Sequence, residues 1–218
     1  MKELVVNSII NNITKYYDYD NTKISEIKYG IESLYLTITK TIIIFIISFI
    51  LNTTNELLLF LLMYGLIRLT GFGVHAKKSW HCWVSSLTTF VLLPILIKYT
   101  IIANNILLIS YVIFIISLLK HAPADTEKRP LINNKKRLIY KILTILIAVS
   151  YLIISLLFQE KTIIVNTLYY STLLEVLLTL PCTYKLFGVK YNNYKNYKKK
   201  GGTIWNYLLL LLLQSEHS

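Results

Sequence analysis

The chain has 218 residues, of which 55% are apolar or aromatic and 16% charged, and its 23 Lys and Arg against 11 Asp and Glu give a formal charge of +12. With a mean hydropathy of +0.54, this composition excludes a disordered or collagen-like chain. It also argues against a soluble enzyme, because the apolar residues fall in runs that a small core cannot hide, and two cysteines, Cys82 and Cys182, are too few for a disulfide framework.

In chain order, Met1–Asp20 has polar residues every few positions and no apolar h-region, so no signal peptide is expected. Ile24, Ile27, Ile31 and Leu34 follow at helical spacing, with Glu26, Lys28 and Glu32 elsewhere on the wheel, which predicts an interfacial amphipathic helix within residues 1–33. Six apolar spans come next: Leu34–Leu51, Leu57–Leu69, Trp83–Ile97, Ile101–Leu119, Leu138–Phe158 and Thr162–Leu180. The second and third are shorter than the roughly 20 residues that cross a hydrocarbon core, which predicts local thinning or a polar dip between them. Pro94 inside the third predicts a kink. The whole reads as all-α, a single integral membrane domain with a six-span bundle over 34–181 and a basic tail over 182–218. Near the end, Thr203–Leu213 is too short to be read as a seventh span, and lies either at the interface or in the bilayer.

The basic residues follow the spans. Placing residues 1–40, 68–82, 120–141 and 185–200 on one side gathers every Lys and Arg except Lys98 and Lys161. The positive-inside rule then predicts a multi-pass protein of the cell membrane with both termini in the cytoplasm. It also removes nucleic acid as the reason for the charge. The Tyr- and Asn-rich stretch Lys190–Lys200 reads as a juxtamembrane segment lying on anionic lipid rather than an RNA-binding tail.

The unusual chemistry is concentrated between the two short spans, from Arg68 through Gly71, Gly73, His75 and Ser79 to Cys82. Cys82 falls at the cytoplasmic start of a membrane helix, where unsatisfied N–H groups favour a thiolate, and Lys77 and Lys78 act in the same direction. A neutral imidazole in reach would take the thiol proton and return it to a leaving group. His75 and Cys82 are seven residues apart, which on one straight helix is about 10 Å along the axis. Their pairing therefore requires the glycine-containing segment to fold back. His81 ranks second as the base, because adjacent residues on a helix do not face each other. His75, His81 and Cys82 lack a fourth ligand at metal spacing, so neither a metal nor another cofactor is expected. Cys182, after Pro181, reads as a packing residue. Glu175 lies inside the sixth span, where an ionised carboxylate requires a partner: it either orients His75, holds Arg68, or is a protonated structural group. The loop His121–Pro130, with two prolines and mixed charge, reads as an ordered cytoplasmic connection.

Arg68, the glycine turn, His75-Ala76, Ser79, Cys82, Leu92-Leu93-Pro94, Ala122-Pro123-Ala124, Lys128 to Pro130, and Glu175 with Leu180-Pro181 together resemble the accessory gene regulator B (AgrB) family, from about Lys28 to Pro181. These are membrane-embedded cysteine endopeptidases of Gram-positive quorum sensing. The resemblance implies processing of a small AgrD-type propeptide: Cys82 as nucleophile and His75 as base and acid, an acyl-enzyme thioester, and ring closure to a thiolactone peptide. It implies substrate or oxyanion contacts for Arg68, with Gly73, Ser79 and Glu175 as further candidates, and makes a homodimer reasonable. The sequence departs from the family pattern at His81, at Ser85 and Ser86, and in the Tyr/Asn/Lys tail. The competing class is a non-catalytic membrane protein, a small exporter or scaffold. A transporter is expected to gather polar residues from several spans at the midplane, and here Glu175 is nearly alone.

Overall fold

A computed structural model describes residues 2–17, 19–74, 79–126 and 131–195. His75, Lys77, Lys78, Lys128 and Thr203–Leu213, all singled out above, lie outside the described residues. Among those described, eight helices and no strand longer than an isolated bridge are present. The expected all-α class is borne out.

The chain divides into two units, Met1–Asn52 and Thr53–Ser218. The first contains α1 (Lys2–Tyr16) and α2 (Asn21–Ile50), which pack on each other. The stripe Ile24 to Leu34 is not a separate interfacial helix; it forms the first part of α2, which continues unbroken into the first apolar span. No proline or helix-ending glycine separates the two stretches, so backbone hydrogen bonding carries through. Leu34, Ile38, Ile42 and Ile46 are exposed along α2, a stripe that suits lipid and would be untenable in water. The hydroxyls of Thr37 and Thr41 turn back to the carbonyls of Ser33 and Thr37, each at 2.9 Å, which satisfies them where water is absent.

The second unit contains α3 (Thr54–Gly71), α4 (Ser79–Tyr99), α5 (Asn104–His121), α6 (Asn134–Leu157), α7 (Thr162–Thr179) and the short α8 (Pro181–Leu186). Its expected spans are all present as helices, and α3 and α4, at 18 and 21 residues, are longer than their apolar stretches predicted. Polar ends such as Thr54-Asn55 and Ser79–Cys82 extend the helices beyond the hydrophobic runs. Among the described residues, five helices are long and apolar enough to cross a membrane: most of α2 and α4, and all of α5, α6 and α7. Helix α4 continues through the buried Pro94.

Helix α7 is central, touching α3, α4, α5 and α6. That position explains its composition: Asn166, Thr167, Ser171, Thr172, Glu175 and Thr179 are all buried, and each faces protein instead of lipid. The Asn166 amide donates to the carbonyls of Ile97 and Thr100 at 2.9 and 2.7 Å, capping the C-terminal end of α4. Around it, Ile67, Leu107, Tyr111, Phe114, Leu118, Ala148, Tyr151 and Leu168 form the core, and Tyr151 donates to the Met63 carbonyl at 2.7 Å. In a bilayer such close packing and interhelical hydrogen bonding replace the hydrophobic effect as the source of association.

Candidate active site

Helix α3 ends beside α7 because Gly71 has no side chain. An added Cβ would stand 2.9 Å from Cδ of Glu175 and 3.1 Å from its Cγ, closer than ordinary contact allows. Beyond Gly71 the chain turns sharply: Phe72 has φ 61° and Gly73 φ 104°. The first is a conformation that L side chains avoid, and Phe72 is held in it by its ring, which meets Tyr140 of α6 edge-on at 5.0 Å. Phe72, Gly73 and Val74 form a strap across the end of the unit. Its backbone is paired on several sides. Gly73 N–H donates to Ala124 at 2.8 Å, Ala124 N–H donates to Gly71 at 3.0 Å, and Val74 N–H donates to Leu178 of α7 at 3.0 Å.

Arg68, one turn before the end of α3, completes the strap. Its guanidinium donates to the carbonyl of Phe72 and, at 3.0 Å, to that of Val74. It also lies 3.5 Å from a carboxylate oxygen of Glu175, whose side chain is fully buried. Of the roles open to Glu175, the structure places it beside Arg68. A planar fork that reaches two carbonyls and a carboxylate at once suits Arg and not Lys.

Helix α4 begins at Ser79, which places Cys82 in its first turn, half-buried, at the helix end expected from the sequence. The carbonyl of Cys82 accepts from the Ser85 hydroxyl at 3.2 Å. His81 packs against Trp80 at 3.9 Å and toward Phe187 at 6.4 Å between ring centroids. Deeper along the stripe of α4 that starts at Cys82, Thr89 and Leu93 border an apolar cleft of about 160 Å³ against Leu173 and Leu177 of α7.

Sequence reasoning missed the far side of the site. The segment after α7 is docked, not loose: Tyr184 is fully buried, and its hydroxyl donates to the carbonyls of Ala124 and Asp125, each at 3.0 Å. The Asp125 carboxylate accepts from Asn193 N–H at 3.1 Å and Tyr194 N–H at 2.8 Å. Burial pushes the Asp125 carboxyl above its ordinary value, against the opposing pull of backbone N–H groups and Arg137. Burial likewise raises the phenols of Tyr184 and Tyr191. The described part of the basic tail, Lys190–Lys195, therefore packs on protein through Tyr191, Asn193 and Tyr194. Cys182, expected to pack, is exposed, because the single turn of α8 directs Tyr184 inward and leaves Cys182 outside. Pro181 at the start of that turn was the available signal.

Membrane-length helices around a polar central α7, with a buried ion pair bracing a glycine strap at one end, define a multi-pass helical membrane protein. The chain belongs to the accessory gene regulator B family, whose profile matches residues 5–179. It is 32% identical over 187 residues to a putative AgrB-like protein of Clostridium acetobutylicum, covering 86% of this chain and 89% of the relative. A putative AgrB-like protein of Listeria innocua is 31% identical over 176 residues, with 79% and 84% covered. The accessory gene regulator protein B of Staphylococcus aureus is 29% identical over 142 residues, with 63% and 76% covered. No solved structure matches the chain. The resemblance drawn from the sequence is thus borne out at the level of the family.

Proposed function

We propose that this protein is a membrane cysteine endopeptidase that removes the C-terminal part of a small AgrD-type quorum-sensing propeptide and supports closure of the remainder into a thiolactone. The observation that carries the reading is the placement of Cys82 in the first turn of α4, seven residues after His75 in the sequence, with Val74, the residue before His75, held by its N–H to Leu178. In the reaction His75 takes the proton of Cys82 Sγ, and the thiolate attacks the scissile carbonyl carbon. Collapse of the tetrahedral intermediate breaks the C–N bond, and His75 returns the proton to the departing amine. Cys82 then holds the acyl group as a thioester. A cysteine thiolate within the peptide attacks that carbonyl and expels the Cys82 thiolate, closing the ring. One thioester replaces another, so the step is nearly balanced, and exclusion of water beside the apolar cleft favours cyclisation over hydrolysis.

Arg68 acts here as a positioning residue, because its donors are already committed to the strap; Gly73 supplies the backbone geometry of the turn, and Glu175 holds Arg68. Both termini and the reacting pair lie on the cytoplasmic side, where basic residues suit an acidic propeptide and anionic lipid, and the chain works as a homodimer. Co-expression with a candidate propeptide, followed by mass spectrometry for a product lacking its C-terminal part, tests the reading. Cys82→Ala and His75→Ala are each expected to abolish the product, and processing that survives both refutes the assignment.

A further inference from the structure

The reaction above leaves the apolar cleft between α4 and α7 without a task of its own. Leu93 and Leu173 line it, and its mouth opens between Leu92 and Leu177, 48% and 45% exposed. One end is blind. There the Tyr170 hydroxyl lies 3.2 Å from Thr100 Oγ1, and the Asn166 amide holds the last carbonyls of α4. The other end leads toward Cys82. Helices α4 and α7 run antiparallel, since Asn166 meets Ile97 and Thr100 while His81, at the start of α4, faces Phe187 beyond the end of α7. Positions 82, 89 and 93 share one stripe of α4, because steps of 7 and 11 residues return to within about 20° of the starting direction. Thr89, on the wall of the cleft, is thus about 10 Å along the axis from Cys82. A dry cavity of about 150 Å³ walled by Leu, Ile and Phe admits a benzene ring, so a cleft of about 160 Å³ has room for one large apolar side chain.

We propose that this cleft is a specificity pocket, which takes one large apolar side chain of the substrate from the third or fourth residue before the scissile bond. The proposal rests on the assignment of Cys82 as nucleophile. An extended peptide advances about 3.3 Å per residue, so a chain with its reacting carbonyl at Cys82 brings its third or fourth residue level with Thr89. Charge and chemistry select the acyl side. The amine side departs in the first step, and the basic residues of the cytoplasmic face suit an acidic leaving segment. The acyl side stays on sulfur and must be kept from water until the ring closes. A leucine-walled cleft on the bilayer side of Cys82 serves that second part. Leu93, Leu173 and Leu177 set its size, and burial of one side chain among them both selects the substrate and anchors the acyl segment.

The test uses the full chain in lipid nanodiscs, in a Cys182→Ser background that leaves Cys82 as the single thiol. The probes are acetyl-tetrapeptide chloromethyl ketones of three Ala and one Phe, with Phe second, third or fourth from the ketone. The Cys82 thiolate attacks the methylene carbon, a C–S bond forms and chloride leaves, so intact mass reports labelling. The three isomers have one composition, and partitioning into the bilayer does not separate them. Each rate is divided by the iodoacetamide rate of the same variant, which removes differences in folded fraction and thiol reactivity. Phe at the third or fourth position is expected to label about ten-fold faster or more than Phe at the second. Leu177→Trp, which fills the cleft from its half-exposed rim, is expected to abolish that advantage, and Leu93→Phe, which fills it from α4, decides the matter if Leu177→Trp does not fold. Equal rates for the isomers refute the pocket. So does an advantage that survives both filling variants, the result expected if a lipid chain occupies the cleft. Either result leaves Cys82 as nucleophile, which is tested separately: processing of a co-expressed propeptide that persists in Cys82→Ala refutes the nucleophile, and the pocket with it.

Discussion

Helix α3 contains two glycines whose replacement by alanine should have opposite effects. At Gly65 an added Cβ meets nothing within 4 Å, whereas at Gly71 it falls 2.9 Å from Glu175 Cδ, where ordinary contact is 3.4–4 Å. Alanine is favoured over glycine in a helix interior by about 1 kcal/mol, which applies at Gly65; Gly71 is the last residue of α3 and lies outside that rule, so the comparison with and without the Glu175 side chain is what isolates the close approach of α3 to α7. Glu175 is fully buried and beside Arg68. An added Cβ at Gly71 therefore requires the Glu175 side chain or the two helices to shift. Overpacking of this kind costs about 1–3 kcal/mol. Gly65→Ala should therefore be neutral or stabilising, and Gly71→Ala should be less stable than Gly65→Ala by about the same 1–3 kcal/mol. Unfolding in mixed SDS micelles, followed by the fluorescence of Trp80 and Trp83 at the start of α4, measures both. In a Glu175→Ala background the extra cost at Gly71 should vanish, as expected for residues in contact. Equal stability of the two alanine variants, or a Gly71→Ala cost that persists without the Glu175 side chain, would show that contact with Glu175 does not explain the glycine.

The Arg68 fork leads to a second expectation. Arg68→Lys retains a charge for Glu175 but cannot reach two carbonyls, and should cost about 1.5–3 kcal/mol, whereas Arg68→Met leaves a buried carboxylate alone and should cost about 3–5 kcal/mol; equal losses in the same unfolding assay would contradict the fork. A third concerns pH. The Asp125 carboxyl titrates above its ordinary value in the folded protein, so its contribution is fully present below the unfolded carboxylate value, about 3.9, and is lost as pH rises through the raised folded value. The stability of the wild type relative to Asp125→Asn should therefore fall as pH rises from about 4, and a difference that grows with pH would reverse the sign.

The sequence exposes the parts of this protein that contrast with their surroundings. Apolar runs marked the spans because little else in a chain makes them, and Arg68, Gly71, Gly73 and Glu175 were visible because charge and glycine are rare in such runs. The helix boundaries were less legible: the polar Asn134–Arg137 extends α6, and Thr22–Ser33, read as part of a separate amphipathic helix, runs on into the first span as one α2, because hydrogen bonding along the backbone does not require apolar side chains. Asn133 could be recognised as the cap of α6 only once its side chain was seen to accept from Lys135 N–H at 2.9 Å. The docking of Tyr184, Tyr191 and Asn193 was hidden for a different reason. Their partners lie about 60 to 70 residues away, and the bonds run from side chain to backbone or between single side chains, a pairing with no periodicity. In a tail rich in Tyr, Asn and Lys, the three that bind look the same as those that do not.

The docked segment also sets an order in time. The strap is synthesised by residue 74, and the loop that bridges it by residue 125, but the amides that Asp125 holds belong to residues 193 and 194. At about 5–20 residues per second, the ribosome delivers them some 6–24 s after the strap. Until then Asp125 lacks those amide partners, while α3 to α7 can already have assembled. The last described stretch of the polypeptide thus closes a structure begun near its middle, and a nascent chain stalled short of residue 194 would contain all five membrane-length helices found among the described residues and still lack that closure.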